Sequence, residues 1–138
     1  MKSALIIGAD GTIGKALAAR LVSRGVTVYT TSRRTNPHSL LLDLATPEYW
    51  PALPACDVAF ICAAITRLDA CEADPEATAR INVTNTQQLI RRLLDARARV
   101  VFLSSNQVFD GSMPRRAATD APQPRCAYGR QKAAVEQW

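Results

Sequence analysis

The sequence lacks any apolar run close to the roughly 20 residues that a membrane-spanning helix needs. Its N-terminus passes from Met1 and Lys2 into an apolar segment that is too short for the hydrophobic region of a secretory signal. Hydrophobic residues make up 48% and charged residues 21% of the 138 positions, which is typical of a soluble globular domain and excludes a disordered or fibrous chain. We therefore expect a cytoplasmic protein with one modest core.

Histidine is scarce, with a single residue, and the chain has four cysteines. Cys56, Cys62, Cys71 and Cys126 form no CxxC pair and do not cluster with His38. Metal sites built from these residue types need close, regular spacings. We therefore expect no metal site, and we expect the cysteines to be thiols in a reducing compartment.

Aromatic residues are also few, at 6% of the chain. The net charge of +5 comes from 17 lysines and arginines against 12 acidic residues, and these basic residues are scattered along the sequence. A nucleic-acid site needs clustered positive charge or a recognisable binding motif, and this sequence has neither. We expect no nucleic-acid partner.

Short apolar runs alternate with longer amphipathic or polar stretches. This alternation is typical of βα units, in which a parallel sheet is covered by helices on both faces. The runs rich in Val, Ile, Leu, Phe or Tyr predict five strands, at residues 3–7, 26–31, 39–42, 58–62 and 100–104.

The segments between these strands carry helix signals. A first helix is predicted at 13–24, ended by Gly25, and a short one at 48–53, begun by Thr46 and Pro47. Asp74 and Pro75 repeat that start signal for the longest helix, which is predicted to run to about residue 97. A polar loop at 110–125 follows the fifth strand, and a last helix is predicted to begin near residue 128.

The first strand runs directly into a glycine-rich turn, Gly8-x-x-Gly11-x-x-Gly14, and then into a helix. A pyrophosphate needs a tight turn, close backbone approach and an exposed helix N-terminus, so this context predicts a dinucleotide site. The simpler alternative is that the glycines only make a tight turn. The predicted cofactor-binding residues of this turn are Gly8, Asp10, Gly11, Thr12, Ile13 and Gly14.

The end of the second strand predicts which dinucleotide binds. An acidic residue is expected there when the ligand is NAD, because a carboxylate binds the ribose 2′-hydroxyl. This chain instead has Ser32, Arg33 and Arg34, and two guanidinium groups favour the 2′-phosphate of NADP. NAD stays possible, and in the alternative interpretation both arginines simply face water.

Tyr128 and Lys132 have the i, i+4 spacing that puts two side chains on the same helix face. A YxxxK pattern alone is weak, but here it opens a helix one loop after the fifth strand, where open α/β sheets bind their ligands. An adjacent ammonium group is expected to lower the pKa of the phenol from about 10. Tyr128 is therefore predicted to be a general acid.

Six motifs together indicate a family. In chain order they are Gly8/Gly11/Gly14, Asp43-Leu44, Ala63-Ala64, Asn82, Ser104-Ser105-x-x-Val108-Phe109-Asp110-Gly111 and Tyr128-x-x-x-Lys132. This order resembles the extended short-chain dehydrogenase/reductases, and within them the nucleotide-sugar reductases and epimerases that include the dTDP-4-dehydrorhamnose reductases. The resemblance covers nearly all of the chain.

The resemblance implies residue roles. Ser105 matches the family's catalytic Ser/Thr, which hydrogen-bonds the reacting oxygen of the substrate; Tyr128 matches the proton donor, and Lys132 matches the residue that lowers its pKa and holds the nicotinamide ribose. Tyr128 is also assigned to the cofactor site. So are the remaining matched positions, with Asp43 and Leu44 near the adenine, Ala63 and Ala64 along the cofactor, and Asn82 in the long helix.

The expected fold is a Rossmann-type, doubly wound parallel sheet with strand order 3-2-1-4-5, forming one NAD(P)-binding domain over residues 1–138. The expected reaction is hydride transfer from the nicotinamide to a keto carbon of a nucleotide sugar. Asn106 and Gln107 stand where rhamnose-forming reductases usually carry Asp and Tyr, so the sugar is left open.

Two alternatives are an epimerase or dehydratase that retains NAD, and a non-catalytic NADP-binding protein. Trp138 ends the sequence inside the last predicted helix, so we expect a truncated chain that lacks the later strands and the substrate domain. A homodimer would cover a surface left open in this way.

Overall fold

The computed structural model describes all 138 residues and contains one parallel sheet of five strands. The sheet has the order β3-β2-β1-β4-β5, which confirms the predicted order. The strands are β1 (Ser3–Ile7), β2 (Thr27–Ser32), β3 (Leu40–Leu41), β4 (Val58–Ile61) and β5 (Arg99–Phe102).

The central strand β1 explains the position of the core. Ala4, Leu5, Ile6 and Ile7 are fully buried, because a strand covered on both faces needs apolar side chains at successive positions. Parallel ladders join β1 to β2 on one side and to β4 on the other. The carboxyl ends of these strands therefore meet at the edge where the glycine-rich turn begins.

The first strand has the predicted bounds, the boundaries of the other strands differ from the predicted ones by one or two residues, and β3 is only two residues long. The helices are α1 (Thr12–Val22), α2 (Leu68–Ala73), α3 (Pro75–Ala79), α4 (Thr86–Asp95) and α5 (Ala127–Gln137). Short 3-10 turns form at Pro47–Tyr49 and Asn106–Val108. No helix is both long and apolar enough to cross a bilayer.

The helix predicted at 48–53 is wrong. Only the turn Pro47–Tyr49 forms, and the Thr46 side chain makes no capping hydrogen bond. Pro51 and Pro54 lack backbone N–H groups and disfavour helical geometry in the residue before each of them, so the turn cannot extend.

The longest predicted helix is interrupted. Asp74 caps it as expected, with its carboxylate accepting a hydrogen bond from the Ala77 N–H at 2.9 Å. A π-helical turn at Arg80–Asn85 then separates α3 from α4, and α2 precedes Asp74 without having been predicted. The extra residue in a π turn changes which side chains face inward, and Asn82 and Asn85 are buried in this one.

The chain divides into two compact units. The sheet unit consists of residues 1–64 and 88–103 and contains all five strands. The helical unit consists of residues 65–87 and 104–138 and contains α2, α3, the π turn, the second 3-10 turn and α5. The single domain expected over residues 1–138 stays a prediction.

Candidate functional site

The glycine-rich turn of the sheet unit needs glycine at two positions for different reasons. Gly8 has a φ of +81°, and a Cβ there would lie 2.8 Å from the Cβ of Ala63. At Gly14 a Cβ would lie 2.4 Å from the carbonyl oxygen of Gly8. The turn therefore packs against Ala63 at the end of β4 and against the first turn of α1, which leaves no space for larger residues.

The N-terminus of α1 is open to a ligand. Gly11 caps the helix without any side-chain hydrogen bond, and the first turn contains no acidic residue. Thr12 and Ile13 are exposed, and a Cβ at Gly11 would meet no atom closer than 3.5 Å. Backbone N–H groups and the positive end of the helix dipole are thus available to an anion. Asp10 lies half-buried beside this turn.

The end of β2 holds the turn from the other side. The hydroxyl of Thr31 accepts a hydrogen bond from the Gly8 N–H at 3.2 Å, and the Ala9 N–H donates to the Thr31 carbonyl at 2.9 Å. Thr31 is fully buried. Sequence reasoning missed this residue, although a hydroxyl near the end of the second strand was a possible signal.

The segment after β2 carries the predicted 2′-phosphate residues. Ser32 is buried and accepts a hydrogen bond from the Arg34 N–H at 2.9 Å, so its hydroxyl shapes the turn. Arg33 and Arg34 are both exposed. No acidic residue occurs between Asp10 and Asp43, so no carboxylate of this stretch offsets the two guanidinium charges.

The segment that follows β3 contains the predicted adenine neighbours. Leu44 is buried, while Asp43 is half-buried and accepts a hydrogen bond from the Ala45 N–H at 2.9 Å. The Trp50 indole donates to the Asp43 carbonyl at 2.5 Å, and the Arg92 guanidinium lies 5.7 Å from the Trp50 ring centroid. Trp50 was not predicted to support this segment. Ala64, like Ala63, is half-buried at the end of β4.

In the helical unit, Ser105 caps the turn Asn106–Val108. Its hydroxyl accepts a hydrogen bond from the Gln107 N–H at 3.2 Å and donates to the Asn106 side-chain oxygen at 3.4 Å. The second bond is long, so the hydroxyl is held weakly on that side. Ser105 is half-buried, which leaves part of its surface accessible.

Tyr128 and Lys132 lie in the first two turns of α5 and are both buried. The ammonium nitrogen of Lys132 lies 5.7 Å from the centroid of the Tyr128 ring, as the i, i+4 spacing predicts. The expected pKa direction is wrong. Burial raises the pKa of the Tyr128 phenol above its ordinary value, and the nearby thiols of Cys71 and Cys126 add to this effect.

The Ser105 turn and the helix α5 are in direct contact. A Cβ at Gly129 would lie 2.1 Å from the carbonyl oxygen of Gln107, so only glycine allows this approach. Cys126, the N-cap residue of α5, accepts a hydrogen bond from the Gly129 N–H at 3.3 Å, and its thiol donates to the Gln107 side-chain oxygen at 3.7 Å. Sequence reasoning did not predict these contacts. The structure thus brings the elements that carry Ser105, Tyr128 and Lys132 together.

Asn82 is 2% exposed, and other residues occupy its polar groups. Its side-chain oxygen accepts from the Ile65 N–H at 2.8 Å, and its amide nitrogen donates to the Ile65 carbonyl at 2.9 Å. The same nitrogen donates to the Gln131 side-chain oxygen at 2.7 Å. Asn82 therefore holds other parts of the helical unit in place, and this burial does not support the predicted direct contact with a cofactor.

No group of three or more His, Cys, Asp or Glu side chains could hold a metal ion, and no cysteine is in a disulfide.

A family model described as the RmlD substrate binding domain matches residues 1–138. The chain belongs to this family. The resemblance to the nucleotide-sugar reductases of the extended short-chain dehydrogenase/reductases is thereby confirmed.

Two curated relatives of this RmlD-family chain carry different names. A dTDP-4-dehydrorhamnose reductase of Mycobacterium tuberculosis is 31% identical over 138 residues, covering 96% of this chain and 44% of the relative. The methionine adenosyltransferase 2 subunit beta of Xenopus tropicalis is 30% identical over 135 residues, covering 95% of this chain and 40% of the relative.

Solved structures share the fold. A Bacillus anthracis dTDP-4-dehydrorhamnose reductase in complex with NADP has a TM-score of 0.81 and 25% identity, covering 99% of this chain and 48% of that protein. The protein MoeE5 in complex with UDP-glucuronic acid and NAD has a TM-score of 0.85 and 28% identity, covering 98% and 47% respectively. The RmlD-family chain thus spans less than half the length of each of these four relatives.

Proposed function

We propose that this chain provides the cofactor site and the proton donor of an NADP-dependent reductase that acts on a keto group of a nucleotide sugar. The observation that carries the proposal is the helical unit, in which the Ser105 turn packs against the helix that holds Tyr128 and Lys132. A hydroxyl, a phenol and an ammonium group in one compact unit are the parts needed to bind and protonate a reacting oxygen.

Reduction of a ketone adds a hydride to carbon and a proton to oxygen, and NADPH would supply the hydride. Tyr128 donates the proton from its phenol to the carbonyl oxygen. A phenol with the ordinary pKa of about 10 is already protonated at neutral pH, and burial raises the pKa of Tyr128 further, so Tyr128 carries the proton that it would donate. Ser105 donates a hydrogen bond to the same oxygen, and Lys132 holds the ribose of the nicotinamide.

The sheet unit fits a dinucleotide. The close packing at Gly8 and Gly14 and the uncapped start of α1 leave backbone N–H groups for the pyrophosphate. Exposed Arg33 and Arg34, with no acidic residue nearby in sequence, support NADP over NAD. The NADP complex of the Bacillus anthracis reductase supports the same choice, whereas the NAD complex of MoeE5 keeps NAD possible.

The proposed substrate class is inferred from the names and bound ligands of the relatives. The reductases are named for a dTDP-sugar, and MoeE5 is complexed with a UDP-sugar. Asn106 lies directly after Ser105 with an exposed side chain, and Gln107 is partly buried against α5. Because these two residues depart from the rhamnose-forming pattern, we propose only the class of keto nucleotide sugars.

The test is NADPH oxidation by the protein, followed by absorbance, with dTDP- and UDP-linked 4-keto sugars. Tyr128→Phe removes the proton donor and keeps the ring, so we expect the rate to fall by about 10²–10⁴-fold while NADPH still binds. Tyr49→Phe, which changes a highly exposed tyrosine, is the matched control and should leave the rate unchanged. Full activity of Tyr128→Phe would refute the assignment.

A second candidate is a non-catalytic NADP-binding protein. It is favoured by the Xenopus tropicalis relative, which is named as a subunit of an adenosyltransferase rather than as a reductase. This candidate predicts NADPH binding without oxidation for every keto nucleotide sugar supplied.

Stoichiometric NAD in the purified protein would instead favour an epimerase or dehydratase. A homodimer also stays a prediction, which a light-scattering mass would test.

A further inference from the structure

Gln131 is a buried polar residue with no part in the proposed chemistry. It lies three positions after Tyr128 and one before Lys132, so all three side chains occupy one face of α5. Gln131 is 5% exposed, compared with 8% for Tyr128 and 4% for Lys132. A buried primary amide is costly unless its polar groups have partners, so the contacts of Gln131 indicate what it does.

Every polar group of the Gln131 amide is engaged. Its oxygen accepts from the Asn82 amide nitrogen at 2.7 Å, and its nitrogen donates to the Thr78 hydroxyl at 2.9 Å and to the Pro75 carbonyl at 3.3 Å. Thr78 donates in turn to the Asp74 carbonyl at 2.8 Å. The partners of Gln131 thus lie on α3 and on the π turn, and none of them lies on α5 itself.

Ala127, the first residue of α5, donates its N–H to the Glu72 carboxylate at 2.6 Å, and this hydrogen bond fixes the start of α5. The other buried residues of α5 include Ala127, Gly129, Ala133 and Val135, which are small and apolar. Packing of small residues alone tolerates a rotation of the helix about its axis, whereas hydrogen bonds of fixed length and angle do not. Because Gln131 makes those bonds from the Tyr128 face, it sets the direction in which Tyr128 and Lys132 point.

We propose that Gln131 is a positioning residue for the proton donor, and that its hydrogen bonds to Asn82 and Thr78 fix the rotation of α5 and thereby seat Tyr128 among Cys71, Ile65 and Cys126. This inference deepens the proposed function and rests on it for its catalytic meaning. The π turn contributes because it buries Asn82, which carries the Gln131 contact.

The experiment follows ionisation of the Tyr128 phenol by NMR of protein labelled with [13Cζ]tyrosine. Gln131→Met preserves the length and volume of the side chain but removes its three hydrogen bonds. We expect the Tyr128 titration midpoint to fall towards the ordinary value, because a loosened α5 admits water to the phenol. Thr78→Val, which removes one partner, should shift it less in the same direction.

Controls separate positioning from stability. Gln137→Met changes an exposed glutamine of the same helix and should leave the Tyr128 midpoint unchanged. Circular dichroism at each pH restricts the fit to folded protein. A folded Gln131→Met with an unchanged Tyr128 midpoint would overturn the proposal and leave Gln131 with a purely structural role.

If Gln131→Met does not fold, the Thr78→Val variant provides the test. An unchanged Tyr128 titration midpoint in that variant would equally overturn the proposal. The readout needs no turnover. Its failure is therefore distinct from a failure of the reductase function, which the NADPH oxidation measurement tests separately.

Discussion

The two units of this protein present their candidate residues in opposite ways. In the sheet unit the residues expected to bind a ligand are glycines, backbone groups and the exposed Arg33 and Arg34. In the helical unit the decisive side chains, Tyr128, Gln131 and Lys132, are buried and held by neighbouring groups. Recognition of a large charged ligand needs open backbone and accessible charge, whereas proton transfer needs one group held in a dry, fixed orientation.

This difference predicts how each unit fails when it is altered. The sheet unit should be sensitive to added volume at the glycine-rich turn and to removal of charge after β2. The helical unit should be sensitive to changes in burial and hydrogen bonding around α5.

The largest effect is expected for Gly14→Ala. The new Cβ would lie 2.4 Å from the Gly8 carbonyl oxygen and 2.8 Å from the Ala9 Cα, and neither backbone atom can move without opening the turn. We expect a net loss in the free energy of unfolding, because an overpacked backbone contact of this kind costs about 3 kcal/mol, which exceeds the helix-propensity gain of about 1 kcal/mol. NADPH affinity should fall by about tenfold or more.

Chemical denaturation and an NADPH titration measure these two effects. Gly11→Ala is the matched control for stability, because its Cβ would meet no atom closer than 3.5 Å. Equal stability of the Gly14 and Gly11 variants would show that the packing of the turn does not depend on glycine.

An intermediate effect is expected when the charges after β2 are removed. The Arg33→Ala, Arg34→Ala double variant should weaken NADPH binding by about tenfold, because a charge-assisted hydrogen bond contributes about 1.5–3 kcal/mol. NADH binding should not change, since NADH has no 2′-phosphate. Fluorescence titrations with both nucleotides check the difference, and Arg24→Ala, an exposed arginine at the end of α1, is the control. An equal loss for NADPH and NADH would contradict the assignment.

The smallest effect concerns the helical unit and alkaline pH. The folded chain holds the Tyr128 proton more tightly than the unfolded chain does, because burial raises the pKa of this phenol. The contribution of Tyr128 to stability is therefore complete below its ordinary pKa of 10 and is lost as the pH rises through the higher folded value. Cys56 and Cys71, whose pKa values burial also raises, act in the same direction above their ordinary 9.

The contribution of Tyr128 to the free energy of unfolding is isolated by comparing wild type with Tyr128→Phe. Denaturation curves are measured for both proteins between neutral pH and pH values above 10. The stability of wild type should decline more steeply than that of the variant. Parallel curves would show that the fold does not depend on the protonated phenol.

The sequence predicted the sheet well, because each strand is a local run of apolar residues and parallel βα units permit few arrangements. It also identified the glycine-rich turn and the Tyr128 and Lys132 spacing, since both patterns are local. It missed α2 and the π turn, because these depend on packing between distant segments. It also missed the loss of the 48–53 helix, although Pro51 and Pro54 were visible in the sequence.

The direction in which the pKa of Tyr128 shifts could not be predicted from the sequence either. Adjacency to Lys132 argued for a lower pKa, but the number of atoms that exclude water from the phenol was not readable from the sequence. The contact between Cys126 and Gln107 was missed for a similar reason, because it joins residues 19 positions apart.

The sequence by itself thus determined the fold class, the strand order, the family and the residue types available for chemistry. These properties follow from hydrophobic periodicity and from short motifs, which act over a few residues. Only the tertiary structure decided which polar groups are buried, that Asn82 is engaged by Ile65 and Gln131, and that burial raises the pKa of the Tyr128 phenol. Burial and hydrogen-bond partnership arise between segments far apart in the chain, so the folded arrangement alone assigns them.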